Sequence, residues 1–389
     1  MLAKDIVVGV IGSGAMGSGI AQVAATAGHQ VLLYDNNQTA LDKSKISLQA
    51  VIKKLIEKQK LTQDAGTAIL NRIKYVSTLS DFKTCGLVIE AIVENIEIKQ
   101  KVFTELESIV SQDCVLASNT SSLSITSIAS ACVKPRRVIG IHFFNPAPLM
   151  PLVEIIPGLA TDETDLINCK KIIDSWGKST VLAKDTPGFI VNRVARPFYG
   201  EAIRVYEEGF ADFATIDWAM KEFGGFKMGP FELMDMIGND INYTVTETVW
   251  TQMFYDQRYK PSLTQKRLFE AKRFGRKSGQ GYYSYTEGSI QPTPKKNNEL
   301  GLGIFHRVLY MLINEAADTL YLQIASKEDI DLAMTKGVNY PKGLLRWADE
   351  IGIGKITLAL QGLYEEYGED RYRPSVLLKR LAKEQLTFY

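Results

Sequence analysis

The chain has 389 residues, long enough for two or three domains at roughly 100–200 residues each. Its 45 Lys and Arg nearly balance 44 Asp and Glu, so no global field favours nucleic acid or an anionic membrane, and a small molecule is the expected partner. Four cysteines, Cys85, Cys114, Cys132 and Cys169, include no C-x-x-C pair, which argues against a zinc knuckle, a redox motif or a secreted disulfide framework.

Residues 5 to 120 alternate short β-branched runs with longer amphipathic stretches. "DIVVGVIG", "QVLLYD", "LVIEAIV" and "CVLASNT" read as strands with helices between them, the pattern of an α/β doubly wound parallel sheet. The apolar start has no basic flank and no small-residue cleavage site, and no apolar run approaches the roughly 18 residues of a spanning helix. A soluble, cytoplasmic protein is the expectation.

The first strand runs into "GVIGSGAMGSGIAQ", where Gly12, Gly14 and Gly17 form G-x-G-x-x-G with Ala15 and Met16 opening the helix. In this context Gly12 permits a tight turn, Gly14 lets the backbone approach a pyrophosphate, and Gly17 allows helix and strand to pack closely. Asp35 ends the second strand 18 residues after Gly17, where an acid accepts from a ribose 2′-hydroxyl and repels a 2′-phosphate. Asn36 and Asn37 follow with no nearby Arg, so NAD is expected rather than NADP.

The Lys-rich interval 40–71 is long enough for two helices, more than a crossover requires, and its charge pattern alone reads as a solvated face. Further on, "LASNTSSLSITSIA" places Ser121 and Ser122 just past a strand, where ligands of such sheets bind, although spacing alone favours turn or cap roles. His142 sits in the apolar run "VIGIHFF" and Glu154 in the next, "PLVEII". A lone histidine there reads as a satisfied core residue, and a lone acid is costly to bury. Together they read as an oriented base, with the carboxylate fixing one ring nitrogen and the other taking a proton from a substrate hydroxyl.

From Asp185 helical periodicity takes over. The expected organisation is a nucleotide-binding domain at 1–184 with a helical hairpin at 40–71, a helical domain at 185–286, a Pro-, Gly- and Asn-rich linker at 287–300, and a second helical domain at 301–389. The two helical blocks repeat each other: "RVARPFYGEAIRVYEEG" from Arg193 aligns with "RVLYMLINEAADTLYLQ" from Arg307 at an offset of 114. Glu201 falls over Glu315, Asp217 over Asp331 and Gly229 over Gly343, a duplicated domain rather than a solenoid.

"GVIGSGAMGSGIA", "EAIVENIEIK", "SNTSSL", "HFFNPAPLMPLVE", "DTPGFIVNR", "MGPFELMDMIG" and "GRKSGQGYY" follow in the order and at the spacings of the soluble L-3-hydroxyacyl-CoA dehydrogenases, which residues 1 to 286 resemble. The resemblance extends to 3-hydroxybutyryl-CoA dehydrogenases and implies NAD-dependent, reversible oxidation of (S)-3-hydroxyacyl-CoA to 3-ketoacyl-CoA, in β-oxidation or butyrate-type metabolism. It implies His142 as base, Glu154 as orienting acid, and Ser121 and Asn192 as groups binding the reacting oxygen. Glu94, Lys99, Ser121, Asn145 and Lys277 match cofactor-site positions, and Lys58 matches a CoA contact on the hairpin, where Val51 departs from the expected serine. In the repeat, Asn192 becomes His306 and "MGPFELMD" becomes "KGLLRWAD". The second copy is therefore expected to pack on the first as a pseudo-two-fold partner, giving a monomer with an internal pseudo-dimer, or else a homodimer. The rival functions are a dehydrogenase of a free hydroxy acid, of the carnitine or gulonate type, and a non-catalytic dinucleotide-binding protein.

Overall fold

The structure is a computed structural model and describes residues 6–389; Asp5, at the start of the first expected strand, lies outside them. The chain divides into two compact units, Met1–Phe189 and Ile190–Tyr389.

The first unit is built on one eight-stranded sheet. Its strands are β1 (Val7–Ile11), β2 (Val31–Tyr34), β3 (Ile73–Val76), β4 (Cys85–Glu90), β5 (Val115–Ser118), β6 (Val138–Phe143), β7 (Leu152–Pro157) and β8 (Ser179–Leu182), in the spatial order β3-β2-β1-β4-β5-β6-β7-β8. The order reverses between β1 and β4, the switch point at which ligands of doubly wound sheets bind. Helices α1 (Ala15–Thr26), α2 (Gln38–Glu57), α3 (Gln63–Arg72), α4 (Ile96–Ile109), α5 (Ile125–Ala129) and α6 (Glu163–Ser175) connect the strands. The central strands carry near-continuous apolar runs, as strands covered on both faces must. One pair departs from the parallel pattern: β6 and β7 run antiparallel. Eight residues join them, too few for the helical crossover that a parallel neighbour requires.

The Lys-rich interval folds as the hairpin of α2 and α3. Leu41, Ser44, Leu48 and Ile52 form the buried stripe of α2, and its lysines lie on the other faces. Asn37 starts the helix by accepting from Thr39 N at 3.0 Å.

The second unit is helical: α7 (Val191–Val194), α8 (Arg196–Glu207), α9 (Phe213–Gly224), α10 (Pro230–Ile237), α11 (Asn239–Gln252), α12 (Leu263–Glu270), α13 (Asn298–Tyr321), α14 (Lys327–Gly337), α15 (Leu344–Ile351), α16 (Ile353–Tyr367) and α17 (Val376–Glu384). Both sequence copies lie within it, and α13, buried along most of its length, packs on α8 and α9. The two copies hold each other by crossed ion pairs. Arg193 Nε lies 2.6 Å from Glu315, and Arg307 Nε lies 2.6 Å from Glu201. Tyr259 Oη donates to Glu315 and Tyr372 Oη to Glu201, each at 2.6 Å. This is the exchange of contacts that a two-fold axis imposes on two identical surfaces.

Local structure repeats as well. Asp217 accepts from the first amides of α10, Phe231 N and Glu232 N, both at 2.9 Å. Asp331 does the same for α15 through Leu345 N and Arg346 N. A Cβ at Gly229 or Gly343 would lie 2.3 Å from the respective aspartate, so both copies require glycine there.

Candidate active site

The turn from β1 into α1 is shaped by its glycines. Gly12 has φ +95, and a Cβ there would meet Ala91 O at 2.5 Å; a Cβ at Gly17 would lie 1.8 Å from Gly12 O. Gly14, the N-cap of α1, faces open space and offers no capping side chain. An open backbone cradle at a helix N-terminus, with Ala15 and Met16 on its first turn, fits a pyrophosphate. Asp35, just past β2, accepts from Ser13 N at 2.7 Å and Ser13 Oγ at 2.8 Å through one oxygen, and from Asn37 N at 2.9 Å through the other. The carboxylate thus ties the glycine turn to the second strand.

At the ends of β4 and β5 a buried network gathers two acids, a lysine and the serine turn. Glu90, fully buried, accepts from Lys99 Nζ at 2.6 Å, Ile92 N at 2.7 Å and Ser118 Oγ at 2.7 Å. Lys99 also lies 3.2 Å from Glu94. Glu94 in turn accepts from the Thr120 hydroxyl, from Ser121 N at 3.1 Å and from Ser122 Oγ at 3.0 Å. Burial pushes the Glu94 carboxyl up, but the Lys99 ammonium and the Thr120 and Ser122 hydroxyls outweigh it and hold it below the usual carboxylate range. Glu90 carried the same signal in sequence that singled out Glu154, an acid inside an apolar strand.

His142 on β6 and Glu154 on β7 are direct register partners, and neighbours across an antiparallel pair point to the same face. His142 Nδ1 lies 2.6 Å from Glu154 Oε2, and both side chains are buried. The imidazole is flanked by the rings of Phe144 and Phe189, at centroid distances of 4.5 and 5.9 Å. Asn119, at the end of β5, accepts from Phe143 N at 2.8 Å and joins the serine turn to the histidine strand.

A cavity of about 1030 Å³ runs from the glycine turn to the hairpin. Lys43, Val51, Lys54, Lys58, Asn145 and Lys178 are among the side chains along it. Lys178 Nζ donates to the carbonyls of Ala147 at 2.5 Å and Met150 at 2.8 Å, securing the segment that carries Asn145; burial lowers its pKa. The roomy, lysine-rimmed cleft suits a long ligand with an anionic end.

Asn192 and Lys277 belong to the second unit. Asn192 lies on α7, and its carbonyl accepts from Arg196 Nε at 2.8 Å. Lys277 Nζ lies 2.5 Å from Asp240. Among the described residues no group of three or more His, Cys, Asp or Glu side chains is placed to hold a metal ion.

A doubly wound sheet with an open glycine turn at its switch point, an acid after β2 and a buried histidine–carboxylate pair defines a nicotinamide-dependent dehydrogenase. The family model described as "3-hydroxyacyl-CoA dehydrogenase, NAD binding domain" matches residues 7–186, and "3-hydroxyacyl-CoA dehydrogenase, C-terminal domain" matches 188–285 and again 304–387. The 3-hydroxyadipyl-CoA dehydrogenase of Escherichia coli is 36% identical, with 96% of this chain and 97% of the relative covered. A probable 3-hydroxybutyryl-CoA dehydrogenase of Deinococcus radiodurans is 44% identical, over 71% of this chain and 99% of its own length. The crystal structure of 3-hydroxybutyryl-CoA dehydrogenase from Escherichia coli K12 superposes with a TM-score of 0.92 at 35% identity, covering 98% of both chains. The chain belongs to the 3-hydroxyacyl-CoA dehydrogenase family. It is an NAD-dependent enzyme that oxidises 3-hydroxyacyl-CoA in fatty acid metabolism.

Proposed function

We propose that His142 is the general base for oxidation of the (S)-3-hydroxyl group, and the observation that carries this is its 2.6 Å bond to Glu154. With Nδ1 engaged by the carboxylate, Nε2 takes the hydroxyl proton, and Glu154 stabilises the imidazolium that results. Bound NAD supplies the acceptor for the hydride leaving C3. The alcohol becomes a ketone, and in the reverse direction imidazolium returns the proton to the oxygen.

Ser121 and Asn192 hold the reacting oxygen in this scheme. Gly12, Gly14, Ala15, Met16 and Gly17 cradle the pyrophosphate, Asp35 takes the ribose hydroxyl, and Glu94, Lys99, Asn145 and Lys277 complete the cofactor site. Lys58 and the lysines beside it receive the CoA phosphates. The crossed pairs of the helical unit support a monomer with an internal pseudo-dimer. Four buried, unpaired cysteines support a reducing compartment, the cytoplasm.

The test is to mix the protein with NADH and acetoacetyl-CoA and follow NADH absorbance. Steady oxidation is expected. Turnover confined to carnitine or gulonate, assayed with NAD, would favour a free hydroxy acid substrate, and no turnover on any of these a non-catalytic binder. The relatives are named for different acyl groups, one dicarboxylic and others of four carbons, so acyl preference has to come from residues of this chain.

A further inference from the structure

Arg196 opens α8 one helical turn beyond Asn192 and is 7% exposed. The other interior arginines of this unit meet acids: Arg193 pairs with Glu315, Arg258 with Glu315 and Asp318, and Arg307 with Glu201 and Glu208. Arg196 meets none. Its Nε donates to Asn192 O at 2.8 Å, one terminal nitrogen donates to Thr246 Oγ1 at 3.1 Å, and its guanidinium lies 5.0 Å from the centre of the Tyr199 ring. Beside it stand the Tyr199 and Tyr340 phenols, which burial holds above their ordinary value and which therefore carry no charge at neutral pH.

Thr246 is itself committed, donating to Asn242 O at 2.8 Å. The Tyr340 hydroxyl is buried with no hydrogen-bond partner. A permanent cation and an orphan donor in one buried place are short of an anion, because a guanidinium removed from water is stable only when paired.

The repeat gives a second, independent reason. Residues that bind the two copies together recur in both: Arg193 and Arg307, Glu201 and Glu315, Tyr259 and Tyr372. Arg196 does not recur, and its counterpart at the offset of 114 is Tyr310. It therefore segregates with Asn192, whose counterpart is His306, and not with the structural core.

We propose that Arg196, assisted by the Tyr340 hydroxyl, is the anchor for a carboxylate at the far end of the acyl chain, so that the substrate is a short ω-carboxylated 3-hydroxyacyl-CoA. This rests on the reading that Asn192 binds the reacting oxygen. Four residues of helix, the separation of Asn192 and Arg196, rise about 6 Å. Three carbon–carbon bonds beyond C3 give a contour of about 4.5 Å, and the carbon–oxygen bonds at the two ends bring the reacting oxygen and the carboxylate oxygen about that far apart, which corresponds to a six-carbon dicarboxylic acyl group. A methyl end would leave the guanidinium without a counter-charge, and pairing with a carboxylate is the interaction Arg is suited to.

The experiment compares kcat/KM for two six-carbon 3-hydroxyacyl-CoA thioesters, one ending in a carboxylate and one in a methyl group, with the four-carbon thioester as reference. The wild type should favour the carboxylate by roughly 10- to 100-fold over the methyl end. Arg196→Met should bring that ratio to about one or below, Arg196→Lys should keep part of it, and Tyr340→Phe should lower it by a few fold. A wild-type ratio near one overturns the proposal whether or not any variant folds, and so does an Arg196→Met protein that is slower on both substrates with the ratio intact. If the four-carbon thioester turns over without any preference for the carboxylate, the dehydrogenase reading stands and only the anchor falls. Failure on all three thioesters overturns both.

Discussion

His142 and Glu154 face each other across the antiparallel pair β6 and β7, with Nδ1 and Oε2 2.6 Å apart in a buried setting. Replacing either separates binding from chemistry. His142→Gln should bind NADH within about two-fold of wild type and lose roughly 10²–10⁴ in kcat with acetoacetyl-CoA. Glu154→Gln, which keeps the shape but not the charge opposite the imidazolium, should lose roughly 10- to 100-fold. Fluorescence titration with NADH and steady-state rates check both. A His142→Gln protein turning over near the wild-type rate would place the base elsewhere.

Asp35 should set cofactor choice. One oxygen is held to the glycine turn by Ser13 and the other by Asn37 N, so a 2′-phosphate would meet a fixed negative charge. Like charges brought together cost several kcal/mol, and kcat/KM with NADPH should be at least roughly 100-fold below that with NADH. Asp35→Ser combined with Asn36→Arg should narrow the gap by more than tenfold. Equal use of both cofactors by the wild type would contradict this role for the acid.

Glu94 gives a pH dependence with a definite sign. Its folded carboxyl is held below the ordinary value of 4.5, so it stabilises the serine turn fully above that pH. The contribution is lost only as the pH falls through the lowered folded value. Thermal unfolding of wild type and Glu94→Gln should therefore differ by a constant amount from pH 7 down to about pH 5, and converge in more acid solution. Convergence already between pH 7 and 5 would mean that the carboxyl is raised instead.

The second helical copy should be indispensable to the first. Removing 301–389 deletes α13, with its buried Val308, Leu309, Leu312 and Ile313, together with Glu315, the partner of Arg193. Exposing that much apolar surface and stranding a buried charge should cause aggregation or dimerisation, visible in light scattering. A stable, active, monomeric truncated protein would show that the copies do not depend on each other.

Much of the nucleotide site was legible because its requirements are local. Gly12, Gly14 and Gly17 answer to one turn of chain, and Asp35 to the strand that follows, so spacing alone locates them. The Lys-rich hairpin was legible as two helices, since the buried stripe of α2 is a helical period. Glu90 sits in an apolar strand as Glu154 does, but nothing near it in sequence marks its role. Its partners Lys99 and Ser118 are 9 and 28 residues away, and no periodicity links them. Nothing in the sequence singles out Arg196, because a missing acid is visible only once its neighbours are in place.

By itself the sequence determined the class of sheet, the glycine turn, the candidate base with its acid, and the existence of a duplicated helical block. These follow from spacing, period and residue chemistry, which act over a few residues or repeat along the chain. Tertiary structure alone decided that β7 runs against β6 and so sets Glu154 opposite His142, and that Arg193 reaches Glu315 while Arg307 reaches Glu201. It also decided that Arg196 is left without an acid among the described residues. Each of these depends on groups far apart in the chain, brought together by burial of surfaces whose mutual orientation no local pattern specifies.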